Sequence, residues 1–353
     1  MAFSFKVRSS ELRTCVRNIL QAVGVPSEKA ELVAESLVAA NLRGVDSHGI
    51  HLLPHYVRQI KVGNIDPLAE GHVVSEVGGC LLFDGESGIG QYISKVCCEH
   101  AVRLSGIHGL AMVVSRASNH FGAAAYWAQR ISSVGMIGLV VSNASPAVAP
   151  WQGKDGRVGT NPLCVSVPSH GKGAWLLDMA TTTVAMNRIV KAAGSGEKSI
   201  PAGWAMDSEG NPCTDTQQAL RGLLMPLGGY KGSGLGLMIE ILCGVLGGGA
   251  MSTEVGGVHI VDRPMNTSQM FMAIDVSRFL SQEEFNTRMA RLVKNVKSSR
   301  PAHGFEEVLV AGEPEWRAEE LRKSEGIPVE VNVWSELLKI AAELEVPVPK
   351  GIS

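Results

Sequence analysis

Apolar side chains in roughly the first sixty positions recur at helical intervals. Leu12, Val16, Ile19, Leu20 and Val23 follow Ser9-Ser10 and predict one helix. Pro26-Ser27-Glu28 opens a second, carrying Leu32, Val33, Leu37 and Val38, which Gly44 can end. A third starts near Leu52-Leu53-Pro54, where proline is tolerated in a first turn, and runs through Tyr56, Val57 and Ile60 to Gly63. The polar stretch Asp46-Ser47-His48-Gly49 falls in the connection between two helices.

From about residue 72 the period changes. Short β-rich segments stand at His72–Val77, Leu81–Phe83, Leu110–Ser115, Met136–Ser142, Leu163–Pro168, Trp175–Asp178, Val258–Val261 and Met270–Asp275. Helical stretches at Tyr92–Leu104 and Ala123–Ser133 separate some of them, which predicts an α/β unit with a mixed sheet. The chain returns to helix at Glu283–Asn295, has a strand at Glu307–Val310, and ends on helices at Glu315–Ser324 and Asn332–Leu344. The expected organisation is a helical domain assembled from both termini, residues 1–71 and 283–353, around an α/β domain of residues 72–282, with no internal repeat.

At 353 residues the chain has the length of about two domains. Its 32 basic and 34 acidic residues are spread throughout, so the basic footprint of a nucleic-acid or anionic-membrane binder is missing and small-molecule ligands are expected. Forty glycines, with 45% hydrophobic and only 5% aromatic residues, fit a closely packed α/β enzyme. Seven cysteines form no Cys-x-x-Cys pair and no zinc-ligand spacing, and read as reduced, mostly buried thiols. The N-terminal segment has no apolar signal-peptide core, and the run from Leu235 to Met251 carries Glu240 and is too short to cross a bilayer. A soluble, cytoplasmic protein is expected.

Two runs, Arg43-Gly-Val-Asp-Ser-His-Gly49 and Ser118-Asn-His-Phe-Gly122, place an imidazole beside hydroxyl, amide and glycine in loop-like sequence. That setting suits reversible proton transfer near neutrality, although a single histidine is more often a satisfied structural side chain. Gly228–Gly236, with Tyr230 and Lys231 inside it, allows backbone approach to a phosphate with a cation in reach. It reads equally as a tight turn before a buried helix over Leu235–Val245. Leu177-Asp178-Met179-Ala180-Thr181-Thr182-Thr183 ends a strand, where α/β ligands commonly bind, or caps a following helix. Val158-Gly159-Thr160-Asn161-Pro162 is a functional loop or a simple turn.

Neither Gly-x-Gly-x-x-Gly after a strand nor a Walker sequence occurs, which disfavours a Rossmann or P-loop site. Two rival chemistries share the same histidines. A Ser47–His48 nucleophile is disfavoured by their adjacency and by the missing Gly-x-Ser-x-Gly. A metal on His48, His51 and His55 is disfavoured by Gly49 and Pro54, which interrupt the helix, and by the lack of a completing Glu. No metal is expected.

Taken in order, Arg43-Gly-Val-Asp-Ser-His-Gly, Asn119-His-Phe-Gly, Gly159-Thr-Asn-Pro, Asp178-Met-Ala-Thr and Gly229-Tyr-Lys-Gly-Ser-Gly closely resemble the type 2 malate/L-lactate dehydrogenase family, through nearly the whole chain. That family includes ureidoglycolate, sulfolactate and 2,3-diketogulonate oxidoreductases and reductases of cyclic imino acids. The resemblance implies a non-Rossmann nicotinamide-binding α/β domain plus a helical domain formed by both termini. It further implies a homodimer with its site between domains, and NAD as cofactor, NADP being possible.

Carried over motif by motif, His48 is the proton donor and acceptor, Ser47 its hydrogen-bonding neighbour and His120 a second catalytic histidine. Asp178, Met179, Ala180, Tyr230, Lys231, Gly312, Glu313 and Pro314 match cofactor contacts, as does the backbone of Ala144. Two departures stand out. Leu52 occupies the position where many members carry an arginine suited to clamp a carboxylate, leaving Arg43, His51, Tyr56 and Arg58 as substrate candidates. Arg188 stands where the imino-acid reductases have an aspartate, which disfavours that branch. The expected function is NAD(P)-dependent interconversion of a malate- or lactate-like 2-hydroxy acid and its 2-oxo acid. The alternatives are ureidoglycolate, sulfolactate or diketogulonate oxidoreduction, cyclic imino acid reduction, and a catalytically idle nucleotide-binding protein.

Overall fold

The computed structural model describes residues 3–168 and 175–351, the side chains of residues 3–5 excepted. In chain order, β1 (Phe3–Val7), α1 (Ser9–Ala22), α2 (Ser27–Leu42), two single 3-10 turns (Asp46–His48 and Ile50–Leu52) and α3 (Leu53–Lys61) come first. Then follow β2 (His72–Val77), β3 (Cys80–Asp84), α4 (Gly90–His108), β4 (Leu110–Ser118), α5 (Ala124–Ser132), β5 (Met136–Ser142), β6 (Leu163–Val167) and β7 (Trp175–Met179). A small lobe holds α6 (Met186–Gly194), β8 (Ala205–Met206), β9 (Pro212–Cys213), α7 (Thr216–Ala219) and β10 (Leu223–Leu224). The chain closes with α8 (Tyr230–Glu240), which runs into a π-turn at Ile241–Val245, then β11 (Thr267–Asp275), α9 (Gln282–Lys297), α10 (Glu313–Glu325), β12 (Ile327–Glu330) and α11 (Val331–Glu343).

The main sheet has seven strands in the order β2-β3-β4-β11-β5-β6-β7. Only β3 and β4 pair in parallel, so the doubly wound parallel sheet of a Rossmann domain is replaced by a mixed one. Strand β11 is central and buried on both faces. Phe271 and Ala273 pack with Trp127 and Ile131 of α5 and with Ile93 and Ala101 of α4, while Met270 packs with Ile239 and Cys243 of the α8 region. Its near-continuous apolar sequence follows from that double burial.

A separate apolar core draws on both chain ends: Val7, Leu12, Val16, Leu37 and Leu53 from one, Ile327, Val329, Trp334, Leu337 and Ala341 from the other. Strands β1 and β12 pair antiparallel and hold the two ends together, a pairing the sequence pattern does not announce. Helix α9 has no buried residue and packs against the turn Val276–Arg278.

Three expectations are corrected. Val258–Val261 is a turn and irregular chain, because its carbonyls are taken by the side chains of Gln59 on α3 and Asn64 just beyond it instead of by a neighbouring strand. Glu307–Val310 is not a strand either; Glu307 is ion-paired to Arg317, and the Val310 amide donates to the Glu313 carboxylate at 2.9 Å. The Leu235–Val245 helix is only half buried: Ile239 and Cys243 face the sheet, whereas Leu237, Met238, Ile241 and Val245 are exposed. The three-stranded sheet of the small lobe, in the order β10-β8-β9, was also not legible, its strands being two residues each.

Candidate active site

The loop that presents His48 is held from below. The fully packed amide of Asn41, near the end of α2, donates to Asp46 Oδ1 at 2.7 Å and accepts from the Ile50 amide at 2.9 Å. Arg322 of α10 reaches across the fold to both Asp46 oxygens, at 2.7 and 3.1 Å, and also donates to the Asn41 carbonyl. Gly49 is required by close approach, since a Cβ there would stand 2.2 Å from Asn41 Oδ1. Gly44, at φ +78°, turns the chain out of α2.

His120 is held as firmly from the sheet side. Asn119 donates to the carbonyls of Ser87 and Gly88 at 2.8 and 2.9 Å, and Trp127 Nε1 donates to the Phe121 carbonyl at 2.8 Å. A Cβ at Gly90 would lie 2.3 Å from the Asn119 carbonyl oxygen, so only glycine lets α4 begin there.

These two loops bring the rings of His48 and His120 to a centroid separation of 5.8 Å, nearly parallel. Ser47 Oγ lies 2.9 Å from His48 Nδ1. Tyr56 Oη lies 2.7 Å from His120 Nδ1, which also accepts from the Gly122 amide at 3.2 Å. A backbone amide can only donate, so His120 Nδ1 is an acceptor and the neutral ring carries its proton on Nε2. Burial, with a smaller effect of His51, holds His48 down at about 4. Burial and the neighbouring His48 hold His120 at about 3, and burial pushes the Tyr56 phenol well up. Both imidazoles are therefore neutral at physiological pH.

Beyond this pair lies a second group of histidines. His51 and His55 are 6.5 Å apart by centroid, and His55 meets His259 edge-on at 4.1 Å. Arg58 donates to His55 Nδ1 at 2.6 Å. Leu52 packs in the helical core, 3% exposed, so it presents nothing to the cleft. Arg43 is not with these residues: it is 7% exposed, its NH1 lies 3.5 Å from Glu319, and its field acts on Asp178. Its Nε and NH2 are buried without a hydrogen-bond partner among the described residues.

The expected cofactor residues are drawn together by a chain of hydrogen bonds. Asp178, at the end of β7, accepts from the Ala125 amide at 3.0 Å and so does not cap a following helix; crowding by protein raises it to about 6, although its side chain faces solvent. The Thr181 amide and hydroxyl both donate to the Thr160 carbonyl at 2.9 Å, and the Leu227 amide donates to the Thr181 carbonyl, also at 2.9 Å. Asn161 accepts from the Ala144 amide at 3.0 Å and donates to the Gly236 carbonyl at 2.8 Å. Met179 and Ala180 thus lie between Asp178 and the start of α8, where Tyr230 and Lys231 are exposed. The Leu176 amide donates to Ala311 at 3.2 Å and docks Gly312, Glu313 and Pro314 beside β7. Glu313 is occupied by Val310 and Lys297, which leaves that segment's backbone for a ligand.

This arrangement fits a dinucleotide. A Cβ at Gly232 would stand 2.4 Å from the Leu227 amide nitrogen, so the first turn of α8 packs backbone to backbone, the Gly232 amide donating to the Leu227 carbonyl at 2.7 Å, with Lys231 exposed beside it.

Sequence reasoning missed Asn41, Arg322, Glu240 and His259. Buried Glu240 accepts from Asn143, Asn161 and the Ser252 amide, and so ties the Ala144 loop to α8. An acid inside an apolar run was the available signal for Glu240; the others depend on long-range contacts. Among the described residues, no group of three or more His, Cys, Asp and Glu is placed to hold a metal ion, and no helix is long and apolar enough to cross a membrane.

A seven-stranded mixed sheet and a stacked pair of neutral histidines on two anchored loops suit acid/base chemistry outside a Rossmann frame. The family model for malate/L-lactate dehydrogenase matches residues 7–338, and the chain belongs to that family. It is 36% identical to the L-sulfolactate dehydrogenase of Methanocaldococcus jannaschii over 327 residues, 93% of this chain and 94% of that protein. It is also 36% identical to a malate dehydrogenase of Pyrococcus horikoshii over 349 residues, 97% of this chain and 96% of the relative. The solved structure of the Methanocaldococcus jannaschii sulfolactate dehydrogenase superposes with a TM-score of 0.91 at 35% identity, covering 97% of this chain and 98% of that one. The protein is accordingly an oxidoreductase acting on CH–OH groups, with a nicotinamide cofactor.

Proposed function

We propose that the protein interconverts a malate-like 2-hydroxy acid and its 2-oxo acid with NAD, moving the substrate proton through His48. The carrying observation is the asymmetry of the histidine pair. His120 Nδ1 faces a backbone amide and cannot take a proton without losing that partner, so His120 serves as a fixed Nε2–H donor that orients the substrate oxygen. His48 Nδ1 faces a hydroxyl, which can donate or accept, so His48 can hold one proton or two. When bound, the nicotinamide ring takes or gives the hydride. In oxidation, neutral His48 removes the hydroxyl proton; in reduction it returns it.

Lys231 and the α8 amides hold the phosphates, Ala144, Met179, Ala180 and the Gly312–Pro314 backbone line the groove, and Asp178 takes a ribose hydroxyl or the carboxamide. Placed on the adenosine ribose, Asp178 would repel the extra phosphate of NADP, which favours NAD. His51, half-buried next to His55 and acting on His48, contacts the substrate beside Tyr56. The division at residues 1–71, 72–282 and 283–353 is supported by the core that joins Val7–Ile65 to Ile327–Ala341, although α9 packs on the turn Val276–Arg278 instead of on that core.

A homodimer completes the picture. The exposed stripe of Leu237, Met238, Ile241, Val245 and Leu246 forms a contiguous apolar face that a second copy would cover. Seven free cysteines fit a reducing, cytoplasmic setting.

The test is reduced-nicotinamide absorbance with NADH and NADPH against oxaloacetate, pyruvate, sulfopyruvate, oxalurate, 2,3-diketogulonate and cyclic imino acids. His48→Ala should lower turnover by about a hundredfold or more with cofactor binding intact. Turnover near that of the parent, or a much larger loss in His120→Ala, would move the proton to His120.

A further inference from the structure

We propose that Arg58, His55 and His259 form a second anion subsite at the mouth of the active site, selecting substrates that carry an acid group beyond their 2-oxo acid. The proposal rests on the hydride-transfer reading only for the position of the reacting carbon.

Charge is the first argument. Arg58 is exposed on α3, and among the described residues its guanidinium meets no carboxylate; its contact is His55 Nδ1 at 2.6 Å. A guanidinium has donors only, so that nitrogen accepts and the His55 proton sits on Nε2. His259 stands edge-on with its Nδ1 3.1 Å from His55 Nε2, a spacing that two positively charged rings would not keep. The group therefore holds one uncompensated cation and two imidazoles kept neutral beside it. Burial first, then His259 and Arg58, hold His55 at about 3, and burial and Arg58 lower His259. An arriving anion reverses the repulsion and gains hydrogen bonds from imidazoles that can then protonate.

Construction is the second. His259 lies on an irregular loop that the fold grips deliberately. Gln59, wholly buried on α3, donates to the carbonyls of Val258 at 3.2 Å and Ile260 at 2.6 Å, on either side of His259. Asn64 adds bonds to Val261 at 3.1 Å and Arg263 at 3.2 Å and also donates to Gln59 Oε1 at 2.8 Å. A surface loop needs no such anchorage to turn a corner; a loop that positions one side chain does.

Location is the third. The fields of His55 and His259 reach His120, and His51 lies between, 6.5 Å from His55. The other charged groups facing this region are Asp46 and Glu330, which act on His51; Glu330 is neutralised by Lys191 at 2.8 Å and Asp46 by Arg322. Among the described residues the outer three are thus the part of this histidine cluster without an acid acting on them.

The test compares Arg58→Gln and His259→Gln with the parent enzyme. The ratio of kcat/KM for oxaloacetate to that for pyruvate should favour oxaloacetate in the parent and fall about tenfold or more in each variant, the worth of a lost charged hydrogen bond. A parent without preference, or variants that lose both substrates equally, would overturn the subsite. A second readout needs no turnover: in 1H–15N spectra of the imidazoles, succinate should shift His55 and His259 while butyrate does not, and Arg58→Gln should abolish the shift. Equal effects of the two acids would reject the subsite even in an active dehydrogenase. Succinate shifts with no 2-oxo acid reduced would leave it standing and reject the hydride-transfer reading.

Discussion

Gly49→Ala isolates the geometry that presents His48. The φ at Gly49 is −92°, open to any residue, so the defect is steric. The new methyl would stand 2.2, 2.4 and 2.5 Å from Asn41 Oδ1, Cγ and Nδ2, far inside any real contact. Asn41 is 5% exposed and must swing away or push the loop off. Swinging breaks its bond to the Asp46 carboxylate and the one it accepts from the Ile50 amide. At about 1 kcal/mol for a neutral bond and about 2 for a charged one, the loss is about 3 kcal/mol. His48, the adjacent residue, shifts with the loop, and a displacement of about 1 Å costs about a hundredfold in kcat/KM. The assay is a double-mutant cycle on urea unfolding and kcat/KM. Asn41→Ala loses the same two bonds and removes the obstruction, so the double variant should be no less stable than Asn41→Ala alone. Additive losses, or a Gly49→Ala enzyme within about 0.5 kcal/mol of the parent, would refute the contact.

Other outcomes follow from the same geometry. With His48 held at about 4, kcat/KM for the 2-hydroxy acid should stay level as pH falls through 6.5 and decline only towards 4; a midpoint near the ordinary 6.5 would remove the buried neutral base. The sign for stability agrees: between 6.5 and about 4 the unfolded chain binds protons at His48 and His120 that the folded one does not, so Tm should fall across that window. Tyr56→Phe keeps the buried ring but removes the hydroxyl from His120 Nδ1, and kcat/KM should drop roughly three- to tenfold with little change in Tm; an unchanged rate would make that bond incidental. Lys231→Ala should raise the cofactor Kd about tenfold or more by fluorescence titration, and unchanged binding would reject its phosphate contact. Cys80 is the one exposed thiol of seven, so one equivalent should react rapidly with a disulfide reagent in the native state, and more would reveal opening of the core.

What the sequence showed depended on how local each signal was. The helices α1 and α2, the strands β4, β5 and β11 and the turn at Gly44 are written in spacings of two to four residues, and each appears within a few positions of its expected place. The short strands of the small lobe and the β1–β12 pair exist because of partners far along the chain, and no local period records them. The site divides the same way. His48 and His120 stand out beside their own hydroxyl, amide and glycine neighbours, and the Gly122 amide two residues on fixes the His120 tautomer, but the Tyr56 hydroxyl on the same nitrogen comes from 64 positions away. His259 carries no local mark at all; its place against His55, 204 positions distant, is set by Gln59 gripping carbonyls on both sides of it. Arg43 shows the converse: its sequence neighbours put it in the active-site run, yet the end of α2 turns its guanidinium to Glu319, with its field on Asp178. Arg43 and Leu52 are both buried. The positive charge that remains at the mouth is Arg58, which is why substrate choice should turn on it.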